Sequence, residues 1–374
     1  MIKKLIRRVL DLLPTKRLIV FESVPNLSDN SKAVFDEMIR RGMNKKYKFI
    51  WVVSNKDERL PKIKNVSYVD KTKRSYKSAR RYYQRFAKVM ISGNDYITPY
   101  RPEQTAFYLC HGTSIKSIRS YYNIPDSIDY IFVDGEETRE MMAYETNFSL
   151  DRTVALGYPR NDILTKAPRD VKALFPNRSF EKIAVWYPTF RQHKNGHTAT
   201  QKAIPFLDDE IKAAELNALA KENGILIVLK PHFAQDVSKI KACDFSNIVF
   251  INDDFFVEHN TNSYEFIAGC DALISDYSSV YFDFLLCDKP MALVWVDYEE
   301  YKATTNFCLD MDYYMKAGEK IYTIKDFGAF LENLKNGTDP LKNERAEITK
   351  WANYSNDGKS SERVTDFIIE KGKL

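Results

Sequence analysis

Five polar blocks in this chain stand at the ends of apolar runs, and their residue types are those of acid–base and anion chemistry. In AFYLCHGTSIK (106–116), His111 leaves an apolar run at a Gly-Thr-Ser turn. An imidazole there, with an ordinary pKa near neutrality, suits a general base, although a histidine held for structure has the same local pattern. In SDYSSVYFD (275–283), Ser278 and Ser279 precede a helical pattern. Unpaired amides and hydroxyls at a helix start suit a phosphate, and plain helix capping uses the same residues. LKPH (229–232) joins Lys230 to His232, a pair able to hold or protonate a diphosphate. YPTFR (187–191) ends on Arg191, whose planar fork matches phosphate oxygens. The fifth block, GYPRND (157–162), reads as a turn bordering the site.

Other patterns carry less. His193 and His197 are four apart, but Asn195-Gly196 between them opposes a helix that would align them on a metal. Asp310 and Asp312 make only a three-residue match to a metal-binding aspartate pair. Neither a G-x-x-x-x-G-K-[ST] loop nor a G-x-G-x-x-G fingerprint occurs. No metal site and no cofactor is expected. The five cysteines lack any C-x-x-C pair, which suits free thiols in a reducing compartment.

The elements that must position these blocks follow from hydrophobic pattern. At 374 residues, 44% hydrophobic and 29% charged, the chain is long enough for two cored domains. Strands are expected at 17–23, 48–54, 65–70, 88–93, 106–112 and 129–135, with helices at 32–41 and 75–86 between them. A second set, at 182–190, 225–233, 247–253, 271–276 and 291–296, includes a helix at 208–223. A closing helical stretch runs from 343 onward. Strand–helix alternation of this pitch predicts an α/β fold with two doubly wound parallel sheets. The expected division is 1–160 and 161–374, linked through 158–179, with ligands in the cleft between the two domains.

Charge is uneven. The net +5 includes residues 71–88, with eight Lys or Arg and no acid, and residues 1–18, with six basic residues against one acid. Residues 1–13 place Ile2, Leu5, Val9, Leu12 and Leu13 at near-helical spacing among Lys3, Lys4, Arg7 and Arg8, the pattern of a basic helix lying in an anionic interface. No apolar run reaches eighteen residues, and the N-terminus lacks a small-residue cleavage site, so neither a spanning helix nor secretion is expected.

HGTSIKSI (111–118), GYPRND, YPTFR, KPH and SDYSSVYFDFLLCDKP (275–290), in that order, resemble the CDP-glycerol:polyglycerophosphate glycerophosphotransferases. The resemblance spans about residues 85–305, with the DYSS-x-x-x-D block its most specific part. It implies a GT-B-like architecture and transfer of glycerol phosphate, or a related polyol phosphate, from a CDP-activated donor to a hydroxyl of a lipid-linked glycan or polyol-phosphate acceptor. CMP would leave, and the product would be teichoic acid or a related surface polymer. His111 is then the base toward the acceptor hydroxyl. His232, Lys230, Arg191, Ser278 and Ser279 would hold the donor diphosphate, Asp276 would orient its loop, and Glu265 would contact the cytidine or ribose. The implied location is peripheral, on the cytoplasmic face of the cell membrane, with an anionic membrane surface as partner and no nucleic acid. Ser114 stands where the family's proline is common, and Thr305-Asn306-Phe307 where an Arg-Gly-Phe stretch is usual, leaving the donor polyol open. A GT-B nucleotide-sugar glycosyltransferase of capsule or surface polysaccharide synthesis is the alternative.

Overall fold

The computed structural model describes residues 13–54, 60–189, 204–231, 237 and 243–374. Arg191, His193, His197, His232 and the segment 1–12 lie outside them. The chain divides into two compact units. The first holds 1–113, 118–162 and 353–374, and the second holds 114–117 and 163–352.

In the first unit, strands β1 (Leu18–Glu22), β2 (Lys48–Val53), β3 (Val66–Asp70), β4 (Val89–Ser92), β5 (Thr105–Tyr108), β6 (Tyr130–Val133) and β7 (Thr153–Ala155) form one parallel sheet. Its order is β3-β2-β1-β4-β5-β6-β7. Both faces are covered, so the strands carry unbroken apolar runs such as FIWVV (49–53) in β2. Leu18 and Val20 enter the core on one face, and Ile19 and Phe21 enter that on the other. Helix α1 (Asp29–Arg40) turns Val34, Phe35 and Met38 into the second of these cores. Helix α2 (Tyr76–Phe86) buries Tyr83 and Phe86 on the opposite side and leaves its basic residues outward. A short α3 (Arg139–Glu145) precedes β7.

The second unit repeats the scheme with β8 (Lys182–Trp186), β9 (Ile225–Leu229), β10 (Ile248–Phe250), β11 (Ala272–Ser275), β12 (Met291–Val294) and β13 (Glu319–Ile321), ordered β10-β9-β8-β11-β12-β13. Helix α4 (Glu210–Glu222) starts where the Asp209 carboxylate accepts the Lys212 amide, and it buries Ala213, Leu216 and Ala220. Gly224, at φ +65°, carries the chain from this helix into β9. Among the described residues, the other α-helices of this unit are α5 (Asp253–Glu258), α6 (Ser263–Gly269), α7 (Val280–Phe284), α8 (Tyr298–Thr304), α9 (Met311–Tyr314), α10 (Ile324–Asn336) and α11 (Lys342–Ala352). A Thr323–Asp326 capping box opens α10, and Gly337 at φ +71° closes it.

The helical stretch expected from 343 onward is two helices. The second, α12 (Ser360–Gly372), packs Val364 and Ile368 into the α1 side of the first sheet. Among the described residues, no helix is long and apolar enough to cross a membrane.

Candidate active site

Each sheet reverses its strand order once, between β1 and β4 in the first unit and between β8 and β11 in the second. In open parallel sheets the loops leaving the carboxyl ends at such a reversal diverge and leave a crevice for ligand.

His111 lies at this edge of the first sheet, three residues past β5, between two residues with positive φ. Cys110 sits at φ +50°, a conformation that disfavours any side chain, and Gly112 at φ +143°. Asn30 in the first turn of α1 holds the bend, its amide donating to the carbonyls of Leu109 (3.2 Å) and Cys110 (3.1 Å). The resulting turn leaves His111 exposed at its rim. Its Nδ1 lies 3.3 Å from the Gly93 carbonyl and 3.4 Å from the Tyr108 hydroxyl. A carbonyl can only accept, so this contact requires the proton on Nδ1 and leaves the Nε2 lone pair free. Desolvation by the surrounding protein lowers the pKa despite the exposed edge; Asp29 opposes it, Arg160 adds to it, and the Gly93 carbonyl opposes it. Near neutral pH, His111 is therefore an unprotonated imidazole with its basic nitrogen unused.

The GYPRND block is a clamp on this turn. Arg160 is buried, and its Nη1 donates to both Asp29 carboxylate oxygens (2.9 and 3.0 Å) and to the His111 carbonyl (3.0 Å). The Asp162 carboxylate accepts the Ser360 and Ser361 amides (2.7 and 2.8 Å), capping α12. Gly157 adopts φ +83°, and a Cβ there would stand 2.3 Å from Ser360 Oγ. Sequence reading singled out His111 and missed Asp29, Asn30 and Arg160 as its supports. The arginine inside a Gly-Tyr-Pro turn was the available signal.

In the second unit, Asp276 joins the loops on either side of the reversal. Its carboxylate accepts the Thr189 amide at 3.0 Å from both oxygens, the Thr189 hydroxyl at 2.6 Å and its neighbour's amide, that of Tyr277, at 2.6 Å. Asp276 is fully buried and committed to this junction, so it shapes the loop. Ser278 and Ser279 follow, half-buried; Ser279 is the N-cap position of α7 without a side-chain capping bond. Among the described residues, neither hydroxyl makes a hydrogen bond within the protein. Asp283, closing the DYSS-x-x-x-D block, accepts from the Tyr264 hydroxyl (2.8 Å) and so ties α7 to α6.

Lys230 leaves β9 beside β8, with Nζ 3.0 Å from Asp253 and 6.0 Å from the centre of the Tyr187 ring. Glu265 occupies the first turn of α6, where it accepts from the Thr261 hydroxyl (2.7 Å) and lies 3.9 Å from Arg169. Tyr187 and Ser263 share a 2.8 Å hydroxyl contact, linking the β8 exit to that turn. The structure thus gathers Lys230, Glu265, Asp276, Ser278 and Ser279 at one edge of the second sheet. Arg191 and His232 lie outside the described residues. A separate cavity of about 350 Å³, lined by Phe206, Asp208, Lys212, Glu215, Val296 and Ile324, among others, contains none of the sequence-predicted residues.

The comparisons with known proteins agree with this architecture. A teichoic acid poly(glycerol phosphate) polymerase of Staphylococcus epidermidis is 26% identical over 94% of this chain, which spans half the length of that protein. The teichoic acid ribitol-phosphate polymerase TarK of Staphylococcus aureus is 24% identical over 98% of this chain and 72% of its own. The solved structure of the wall teichoic acid polymerase TagF superposes with a TM-score of 0.73 at 22% identity, covering 100% of this chain and 96% of that one. The fold is GT-B-like, with two Rossmann-like units. The sequence matches the family description over residues 5–370, and the chain belongs to the CDP-glycerol:poly(glycerophosphate) glycerophosphotransferase family.

Proposed function

We propose that this chain transfers glycerol phosphate, or a related polyol phosphate, from a CDP-activated donor to a hydroxyl of a lipid-linked acceptor in teichoic acid or related polymer synthesis. The acceptor oxygen forms a bond to the β-phosphorus, the bond from that phosphorus to the bridging oxygen breaks, and CMP leaves with the electron pair. The acceptor proton passes to His111 Nε2. Such a reaction needs a base, alignment, and positive charge near the leaving phosphate. Lys230, with Ser278 and Ser279, is assigned to the donor diphosphate, together with Arg191 and His232. Glu265 is assigned to the cytidine or ribose, and Asp276 to holding the loop.

The observation that carries this reading is the state of His111: an imidazole with a lowered pKa, its Nδ1 engaged by a carbonyl and its Nε2 unused. Family membership supports the donor class. Relatives named for glycerol phosphate and for ribitol phosphate leave both polyols as candidates. Attachment to an anionic membrane surface is supported by α2, where Lys77, Arg80 and Arg81, with Lys73 and Arg74 just before them, are exposed. Among the described residues, none of these has a carboxylate partner within 4 Å. Each basic side chain near such a surface adds about 1 kcal/mol.

The test offers CDP-glycerol, CDP-ribitol and a UDP-sugar in parallel with a synthetic lipid-linked acceptor, followed by nucleotide analysis and product mass. CMP release, with additions of about 154 Da per glycerol-phosphate unit, is the expected outcome for CDP-glycerol. Turnover of the nucleotide sugar alone would replace this reading with glycosyl transfer.

A further inference from the structure

A buried carboxylate, Glu22, stands at the carboxyl end of β1, on the strand-order reversal of the first sheet. It is 1% exposed. Its Oε2 accepts two consecutive backbone amides, Asn94 (3.1 Å) and Asp95 (2.9 Å), and its own carbonyl accepts the Gly93 amide (3.1 Å). The Asn94 side chain accepts the Val24 amide in return (2.8 Å). Three successive residues of the loop leaving β4 are therefore pinned to the end of β1. The first of them, Gly93, presents the carbonyl that meets His111 Nδ1.

The sheet register supports the same connection. Glu22 pairs with Ser92, and Ser92 with Tyr108, so the three side chains form one polar row across β1, β4 and β5. Tyr108 ends that row with its hydroxyl 3.4 Å from His111 Nδ1. Glu22 Oε1 and Ser92 Oγ are both buried without a partner among the described residues. A buried carboxylate oxygen without a partner is destabilising, so its retention calls for a role besides packing.

We infer that Glu22 is a positioning residue for the transfer reaction: by holding the 93–95 loop it fixes the Gly93 carbonyl and, through it, the Nδ1–H tautomer of His111. This deepens the proposed function and rests on the reading of His111 as the base. Without that carbonyl the imidazole is free to carry its proton on Nε2, the nitrogen that must accept the proton of the incoming hydroxyl.

The test reads the tautomer directly, by nitrogen-15 NMR of the full chain labelled at histidine, near pH 8 where the ring is neutral. The His111 signal is assigned by its loss in His111→Asn. Wild-type protein is expected to carry the proton on Nδ1. Glu22→Asp keeps the charge but withdraws the oxygen by one methylene, and it is expected to give a mixture of tautomers with kcat lowered about 10–100-fold. Glu22→Gln keeps an acceptor oxygen at full reach; it is expected to hold the Nδ1–H form and to lose less activity than Glu22→Asp. A pure Nδ1–H signal in Glu22→Asp, or an Nε2–H signal in the wild type, overturns the inference. Failure of the base assignment shows separately, as a His111→Asn enzyme that still turns over at the wild-type rate.

Discussion

Arg160 and Asp29 offer a signed test of how the His111 turn works. Arg160 Nη1 serves both oxygens of Asp29 and the His111 carbonyl at 2.9–3.0 Å. In Arg160→Met, Asp29 keeps the Asn30 amide at 2.7 Å, and the carbonyl loses this donor. Breaking a buried pair costs about 3–5 kcal/mol, and the 19% exposure of Asp29 reduces that to about 2–3 kcal/mol. For a unit of this size the loss lowers Tm by about 4–12 °C. Asp29→Asn removes the other partner and is destabilising as well. The two variants then diverge in pH dependence. Arg160 lowers the His111 pKa and Asp29 raises it. The acid limb of kcat/KM, which reports the base in the free enzyme, should move to higher pH in Arg160→Met and to lower pH in Asp29→Asn. Profiles of kcat/KM for the CDP-linked donor between about pH 5 and pH 9 supply the measurement. Shifts in the same direction, or none in either variant, would refute the electrostatic reasoning even if both proteins lose stability.

Two further outcomes concern stability. Gly157→Ala places a methyl group at φ +83° and 2.3 Å from Ser360 Oγ, and should cost about 1–3 kcal/mol in urea unfolding. Ser360→Ala in the same chain should recover part of it, and strict additivity of the two changes would contradict a steric cause. Lys320 lies over Trp295 (3.9 Å to the ring centre), and burial lowers its pKa to about 7 with Asp312 opposing. The unfolded chain keeps that proton up to about 10.5, so between these values it binds more protons and stability rises with pH. Lys320→Met should therefore gain most below pH 7 and progressively less above it, and parallel stability curves for the two proteins would count against a buried neutral lysine.

The sheets were readable because parallel strands buried on both faces are continuous apolar runs: Ile225–Leu229 and Met291–Val294 lie within their expected segments. Short edge strands were not. Thr153–Ala155 and Glu319–Ile321 are three residues each and too polar or too brief to show a period. Helix α4 was legible from its acidic start and terminal glycine. The packing of α12 on the first sheet was not, because its Val364 and Ile368 would suit either core and the deciding contact is Asp162, about 200 residues earlier. Among site residues, His111 announced itself by residue type. Its supports, Asn30 and Gly93, act through an ordinary amide and a backbone carbonyl, which leave no mark in the sequence. Asp276 belongs to a recognisable motif, yet only the Thr189 bonds reveal that its carboxylate is spent on the junction.

The most direct measurement is single-turnover CMP release from CDP-glycerol on a lipid-linked acceptor, comparing wild type with His111→Asn at equal folded fraction. The transfer rate is expected to drop about 10²–10⁴-fold or more with donor affinity preserved. A variant that releases CMP and extends the acceptor at the wild-type rate would contradict it.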